Sequence, residues 1–380
     1  MNLKKNRFSA LIAAVIILVI IAGTVVTSTK RQRTLDQRPT DQSRAVTAAA
    51  TVSDKVESTK TSSKVPDKAR QFIRALRASA MKVSDVQALC LENAAVLEQL
   101  RQLGADAIPV YLDEIADKNS PSLLRILLIE ALAHTAGRND ARVGPALMAI
   151  IADPTDEKAV RMQALLWIPE TGNQTDGPKL LAMLPQQTDA DLEFGIVRSL
   201  RGFKIAGSVD TLAGELSDEK SHLIRIAAYH AIAHQGDDAA LTLLQKSVAA
   251  RLADGSRESD AQGNAVAVHG VLALGELPNS RSLAELESIA MNPANSVSVR
   301  STAFDSIAAI GGAEAQQVVS RAMKTESNDA VLVYIAHAVA TLGDGSDAAA
   351  CLEKAATISD NYTKNELRQA AHAIEQRPQR

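Results

Sequence analysis

Aromatic residues are scarce in this chain: one Trp, four Tyr and five Phe make up 3% of its 380 residues. Sandwich and barrel cores draw on aromatic and β-branched side chains. With 46% hydrophobic residues and recurring Ala and Leu, the composition points instead to helices packed through small and aliphatic groups. Cysteine is nearly absent as well. Cys90 and Cys351 stand at opposite ends of the chain, which excludes a disulfide framework and a zinc motif of short spacing. The sequence contains no GxSxG, no phosphate-binding loop, no GxGxxG and no Cys–His pairing in a recognisable context. The expectation is therefore a protein without a catalytic residue, a cofactor or a bound metal. Carboxylates are plentiful, but nothing selects a catalytic pair.

The formal net charge of −3 hides an asymmetry. Residues 1–64 carry eleven Lys/Arg against four Asp/Glu, and residues 65–380 carry 30 against 40. An acidic body lacks the basic footprint that a phosphate backbone requires, so a nucleic-acid partner is not expected.

The one long charge-free run lies at the amino terminus. Lys4, Lys5 and Arg7 precede Phe8–Val26, 19 residues without a charge. As a helix this run would reach about 28 Å, close to the hydrocarbon thickness of a bilayer. A cleaved signal peptide has a shorter apolar region and ends at a small-x-small site, and none follows Val26 convincingly. Residues 1–29 are therefore expected to form an uncleaved signal anchor. Lys30, Arg31 and Arg33 make the charge bias across the span weak. The expected arrangement is a single-pass membrane protein with its soluble part on the outer side, the periplasmic side in a bacterium. Residues 30–65, rich in Ser, Thr and Ala without apolar periodicity, read as a flexible linker.

From residue 66 to 380 one short pattern returns. VRMQALLWIPETG (160–172), IRIAAYHAIAHQG (224–236) and VRSTAFDSIAAIG (299–311) share an Arg, a small residue three on, an aliphatic seven on and a Gly eleven on. With that Arg as reference, the position falls at Asn93, Arg125, Arg161, Glu193, Arg225, Asn264, Arg300, Leu332 and Arg368. The successive spacings are 32, 36, 32, 32, 39, 36, 32 and 36 residues. Nine phased units define the fold: an all-α solenoid of helix–turn–helix repeats, each stacking on its neighbours because none buries its apolar face alone. Asp189, Ser221, Asp260, Ser296 and Asn328 stand four before the reference as helix N-caps. The glycines eleven on, at 104, 172, 236, 275, 311 and 343, stand as helix ends in left-handed conformation.

The reference Arg sits among apolar positions and needs an acceptor. Eight residues earlier stand Asp117 for Arg125, Asp153 for Arg161, Asp360 for Arg368 and Asn292 for Arg300, while Asp218 stands seven before Arg225. These pairs predict a structural acid–arginine ladder between helix ends.

The pattern D…VR..A..AL…G, as in ADPTDEKAVRMQALLWI (152–168) and MNPANSVSVRSTAFDSI (291–307), resembles the HEAT-like repeat of the phycobilisome-lyase type over about residues 83–376. The resemblance implies a scaffold or adaptor that binds proteins. One branch of that family attaches or removes bilin chromophores, which makes a chromophore-handling enzyme the competing expectation. This chain departs from the pattern in its membrane anchor, in Trp167 and Pro169 within one repeat helix, and in a longer insertion at 252–263.

The five-on column reads Glu98, Glu130, Leu166, Arg198, His230, His269, Asp305, His337 and Ala373. At 100° per residue it points about 140° from the reference, away from the packed face. Three of the seven histidines fall in it. His230 and His234 also have the four-residue spacing of a two-imidazole metal site, but no third ligand matches. The column from Arg198 through His230, His269 and Asp305 to His337 is the candidate partner-binding stripe. Imidazoles near their ordinary pKa would make such binding pH-sensitive.

Overall fold

Small residues at fixed spacing let helices approach, and the computed structural model shows where they do so. It describes residues 64–83, 86–135, 139–253, 261–278 and 281–377. The chain divides into two units, Met1–Ser58 and Thr59–Arg380, and all described residues belong to the second. The expected anchor and nearly all of the expected linker lie outside the described residues. Among the described residues, no helix is long and apolar enough to cross a membrane.

Every regular element among the described residues is helical. The first is α1 (Lys64–Ala80), which buries Ala69, Ile73, Leu76 and Ala80 along one stripe. Then come α2 (Val86–Glu92) and α3 (Ala94–Gln102), separated by Asn93, whose side-chain amide donates to the Leu89 carbonyl. The first unit thus has a broken helix where the repeat predicts a continuous one.

Two rows of helices follow. One row comprises α4 (Ile108–Ala116), α6 (Val143–Ala152), α8 (Asp176–Met183), α10 (Val209–Gly214), α12 (Asp238–Ala253), α14 (Leu283–Met291), α16 (Gly312–Thr325) and α18 (Gly345–Thr357). The other, which carries the reference positions, comprises α5 (Ser122–Ala133), α7 (Lys158–Thr171), α9 (Ala190–Leu200), α11 (His222–Gln235), α13 (Ala261–Glu276), α15 (Val297–Ile310), α17 (Asp329–Leu342) and α19 (Asn361–Glu375). Each even-numbered helix from α4 packs on the odd-numbered helix after it. The odd row is continuous, every helix from α3 to α19 touching the next of its row. This is an all-helical repeat stack, consistent with an α-solenoid of HEAT-like units.

The three-on column is what the odd row closes around. Leu128, Ala164, Ile196, Ala228, Ala267, Ala303, Ile335 and Ala371 are at most 1% exposed. Helix starts follow the sequence signals: Asp189, Ser221, Ser296 and Asn328 each accept first-turn backbone N–H groups. Asp260 lies outside the described residues, as do 254–260 of the insertion.

The glycine column divides. Gly104, Gly236 and Gly311 take positive φ, as expected, whereas Gly172 and Gly343 end α7 and α17 in extended backbone, at φ −80° and −66°. Gly275 instead lies inside α13, where a Cβ would meet the Ser306 Cβ at 2.6 Å, so its role is close approach to α15. Pro169 likewise sits inside α7, and Gly202 makes room for it: a Cβ at Gly202 would meet the Pro169 ring at 2.5 Å.

The ladder exists, but its partners differ from the expected ones. Arg125 donates Nε to the Ile115 carbonyl and both terminal nitrogens to Asp156, at 2.7 and 2.6 Å. Arg300 repeats this with the Ala290 carbonyl and Glu326. Arg161 donates to the Ile151 carbonyl. Ile115, Ile151 and Ala290 are the penultimate residues of α4, α6 and α14, whose last carbonyls lack intrahelical donors. The carboxylate comes from the loop that starts the next odd helix, not from the helix end eight residues earlier.

The nearer acids are otherwise engaged. Asp117 accepts from Asn119 and Ser120, Asp153 pairs with Lys118 at 2.5 Å, and Asp360 caps α19 through Thr363. Arg368 is exposed. Arg225 does meet Asp218, at 2.6 Å, and Arg251 shares that carboxylate. At two of the four reference positions that are not Arg, complementary chemistry keeps the forward link. Glu193 receives Lys220, and Asn264 accepts from Ser298 at 3.0 Å.

Candidate functional site: the five-on face of the odd helices

The reference residues turn toward the even helices, so the five-on residues stand on the other side of the odd row. Their exposure agrees: Glu98, Asp305, His337 and Ala373 are exposed, and Glu130, Leu166, Arg198, His230 and His269 are half-buried. Register between neighbours is fixed locally. The Ser199 hydroxyl donates to the Leu165 carbonyl at 2.5 Å and ties α9 to α7.

In the middle of this face α11, α13 and the end of α9 bring four polar side chains together. His230 Nε2 lies 3.0 Å from His269 Nδ1, with the rings edge to face. His230 Nδ1 lies 3.1 Å from Glu276 Oε2, and Arg201 donates to Glu276 Oε1 at 2.9 Å. Arg201 thereby reaches from the end of α9 across α11 to α13. Lys204 donates to the His234 and Gln235 carbonyls, placing a cation at the last turn of α11, where the helix dipole favours it. His230 and His234 share a helix but not a ligand position, since His230 turns to His269 and Glu276. Among the described residues no group of three or more His, Cys, Asp or Glu side chains is arranged to hold a metal ion.

Arg198 differs from its neighbours. It is half-buried and, among the described residues, its side chain makes no hydrogen bond or ion pair. Burial, and then the adjacent Arg201 charge, lower its pKa.

The electrostatics of the imidazoles depart from the expectation. Burial and then His230 push His269 down to about 4, and Glu276 offsets this only in part. His234 is lowered by burial, Lys204 and Arg201. His269 is therefore neutral at physiological pH rather than poised near its ordinary value. Glu276 stays below its ordinary value: burial would raise it, but the hydrogen bond from His230 and the charge of Arg201 outweigh that.

His337 stands apart from the other two histidines. It meets Glu366 at 3.0 Å and contacts the Tyr334 ring edge to face. Asp305, between the two groups, reaches solvent, yet crowding raises its pKa, with His337 opposing. On the other side, Trp167 stacks edge to face on His134, their ring centroids 4.7 Å apart, and its indole N–H finds no acceptor among the described residues.

Arg201 and Glu276 belong to the site although the five-on column omits them. Their signal was helical spacing, since they fall three after Arg198 and seven after His269 on the same helix faces.

No family model matches the sequence, and no curated protein matches it. Among solved structures, human deoxyhypusine hydroxylase in complex with glycerol is 18% identical to this chain. It aligns over 73% of this chain and 96% of its own, with a TM-score of 0.28. At that score the superposition conveys neither a shared site nor a shared function.

Proposed function

We propose that this protein is a membrane-tethered HEAT-like scaffold that holds an extended protein partner along the five-on face of its odd helices. The observation that carries the reading is the continuity of that row. Helices α5 to α19 present successive five-on positions, mostly polar, one per repeat, at the 8–10 Å spacing typical of packed helices. An extended chain touching several repeats in turn fits such a surface, whereas a small ligand needs convergent groups in a concavity. The tether is supported by the charge-free run Phe8–Val26 and its basic flanks. The bilin-handling alternative rests on fold analogy alone.

The test replaces Arg198, His230, His269 and His337 together by Ala in the full chain. None lies in the packed three-on column, so the variant is expected to keep its helical circular dichroism and to sediment with membranes as the parent does. It is expected to lose the protein that co-purifies with the parent from native membranes. Undiminished recovery of that same protein by the folded variant would overturn the reading, and release of the parent into the soluble fraction would remove the tether from it.

A further inference from the structure

The face proposed to carry the partner is not uniform, and its centre holds a cation, the Arg198 guanidinium, that no group among the described residues answers. The reference arginines Arg125, Arg161, Arg225 and Arg300 each end on a carbonyl or a carboxylate. On the same helix face as Arg198, Arg201 takes Glu276. That carboxylate is already shared with His230, which leaves it little capacity for a second guanidinium. Arg198 lies three residues before Arg201, the residue that caps α9, so the two stems share one helix face, and among the described residues only Arg201 reaches the Glu276 carboxylate. Lys204 adds a third cation at the adjoining end of α11.

The Arg198 guanidinium has no nitrogen buried from solvent, so it stands open to an arriving anion, with which its hydrogen bonds are charge-assisted. From this we infer, resting on the scaffold reading above, that the α9–α11–α13 patch is the anchoring point of the partner. The residue it receives is an acidic side chain, whose carboxylate closes a two-point hydrogen bond on the Arg198 guanidinium.

Charge complementarity supports this occupant over others. The body is acidic overall, with 40 Asp/Glu against 30 Lys/Arg beyond residue 64, so a local cationic patch discriminates position along an acidic segment. The chain's own first 64 residues are net basic and make a poor occupant. His269 adds no charge at neutral pH, so the patch attracts through its guanidinium groups rather than through a protonation switch.

The experiment titrates purified full-length protein with a fluorescein-labelled decaglutamate peptide, read by anisotropy. Saturable binding is expected for the parent and, with the same midpoint, for Arg321→Ala, whose guanidinium pairs with Glu287 elsewhere and which keeps the basic amino terminus. Arg198→Glu, which keeps the amino terminus too, is expected to weaken binding by about tenfold or more.

Equal anisotropy curves for the parent and Arg198→Glu would overturn the inference, as would a parent that shows no saturable binding. If the quadruple Ala variant loses the native partner while decaglutamate fails these tests, the scaffold reading stands and the acidic occupant falls.

Discussion

The guanidinium of Arg125 and the carboxylate of Asp156 form a two-point ion pair, at 2.7 and 2.6 Å, with side chains only 2% and 3% exposed. The pair joins one repeat to the next, since Arg125 also binds the carbonyl of Ile115 at the end of the preceding even helix. Burial would raise the Asp156 pKa, but Arg125 and the Glu157 N–H outweigh it and hold the carboxyl below its ordinary value. Removing one partner strands the other in the core. Arg125→Ala is expected to cost about 3–5 kcal/mol, whereas an apolar pair at both positions is expected to recover much of that loss. Arg161→Ala is expected to cost clearly less, because Asp153 is partly exposed and already paired with Lys118. Urea midpoints for the three variants check the order, and a larger loss for Arg161→Ala would contradict it.

Gly275 and Gly214 provide a matched pair for the packing argument. Both lie in helices, but a Cβ at Gly275 meets Ser306 at 2.6 Å, while one at Gly214 meets nothing within 4 Å. Gly275→Ala is expected to destabilise by about 1–3 kcal/mol through overpacking against α15. Gly214→Ala is expected to be neutral or to stabilise by about 0.4–1 kcal/mol, because it restricts the unfolded chain. Thermal midpoints moving in the same direction by the same amount would contradict close approach as the reason for Gly275.

These two cases show what the sequence made legible. The odd helices were readable because caps, small residues and aliphatics recur in local register, so Asp189, Ser221, Ser296 and Asn328 could be placed by counting. The partners of Arg125 and Arg300 were not readable in that way. Half of each interaction is a backbone carbonyl, which carries no residue identity, and the other half comes from Asp156 and Glu326 in the following repeat. Counting backward within one repeat reached Asp117 and Asn292 instead. Gly275 failed for a similar reason: the spacing marks a glycine, but only the neighbouring helix shows whether conformation or space requires it. At the site, the five-on column located His230 and His269 but not their contact, nor Glu276 and Arg201, because contacts between helices depend on their packing.

The neutral state of His269 has a consequence for stability below neutral pH. Its folded pKa is about 4 and its ordinary value is 6.5, so the folded pKa is depressed. In the unfolded chain the imidazole takes up a proton as pH falls through its ordinary value, while in the folded chain it resists until about 4. Its contribution is therefore fully present above pH 6.5 and is lost progressively as pH falls from 6.5 toward 4. His269→Gln is expected to flatten the decline in urea midpoint between pH 7 and pH 5. An unchanged decline in the variant would assign the acid sensitivity to other groups, such as His234.

The central claim is that one partner runs along successive odd helices, and site-specific photo-cross-linking in native membranes tests it most directly. A benzophenone side chain placed singly at Leu166, Arg198, His230, His269, Asp305 and His337 samples one position per helix from α7 to α17. Glu287 and Arg321, on the even helices α14 and α16, serve as the opposing surface. The account predicts that the same protein is captured from at least three stripe positions, through peptides that advance along its sequence from one helix to the next, and from neither even-helix position. Capture from the even helices alone, or different unrelated proteins at each stripe position, would contradict it.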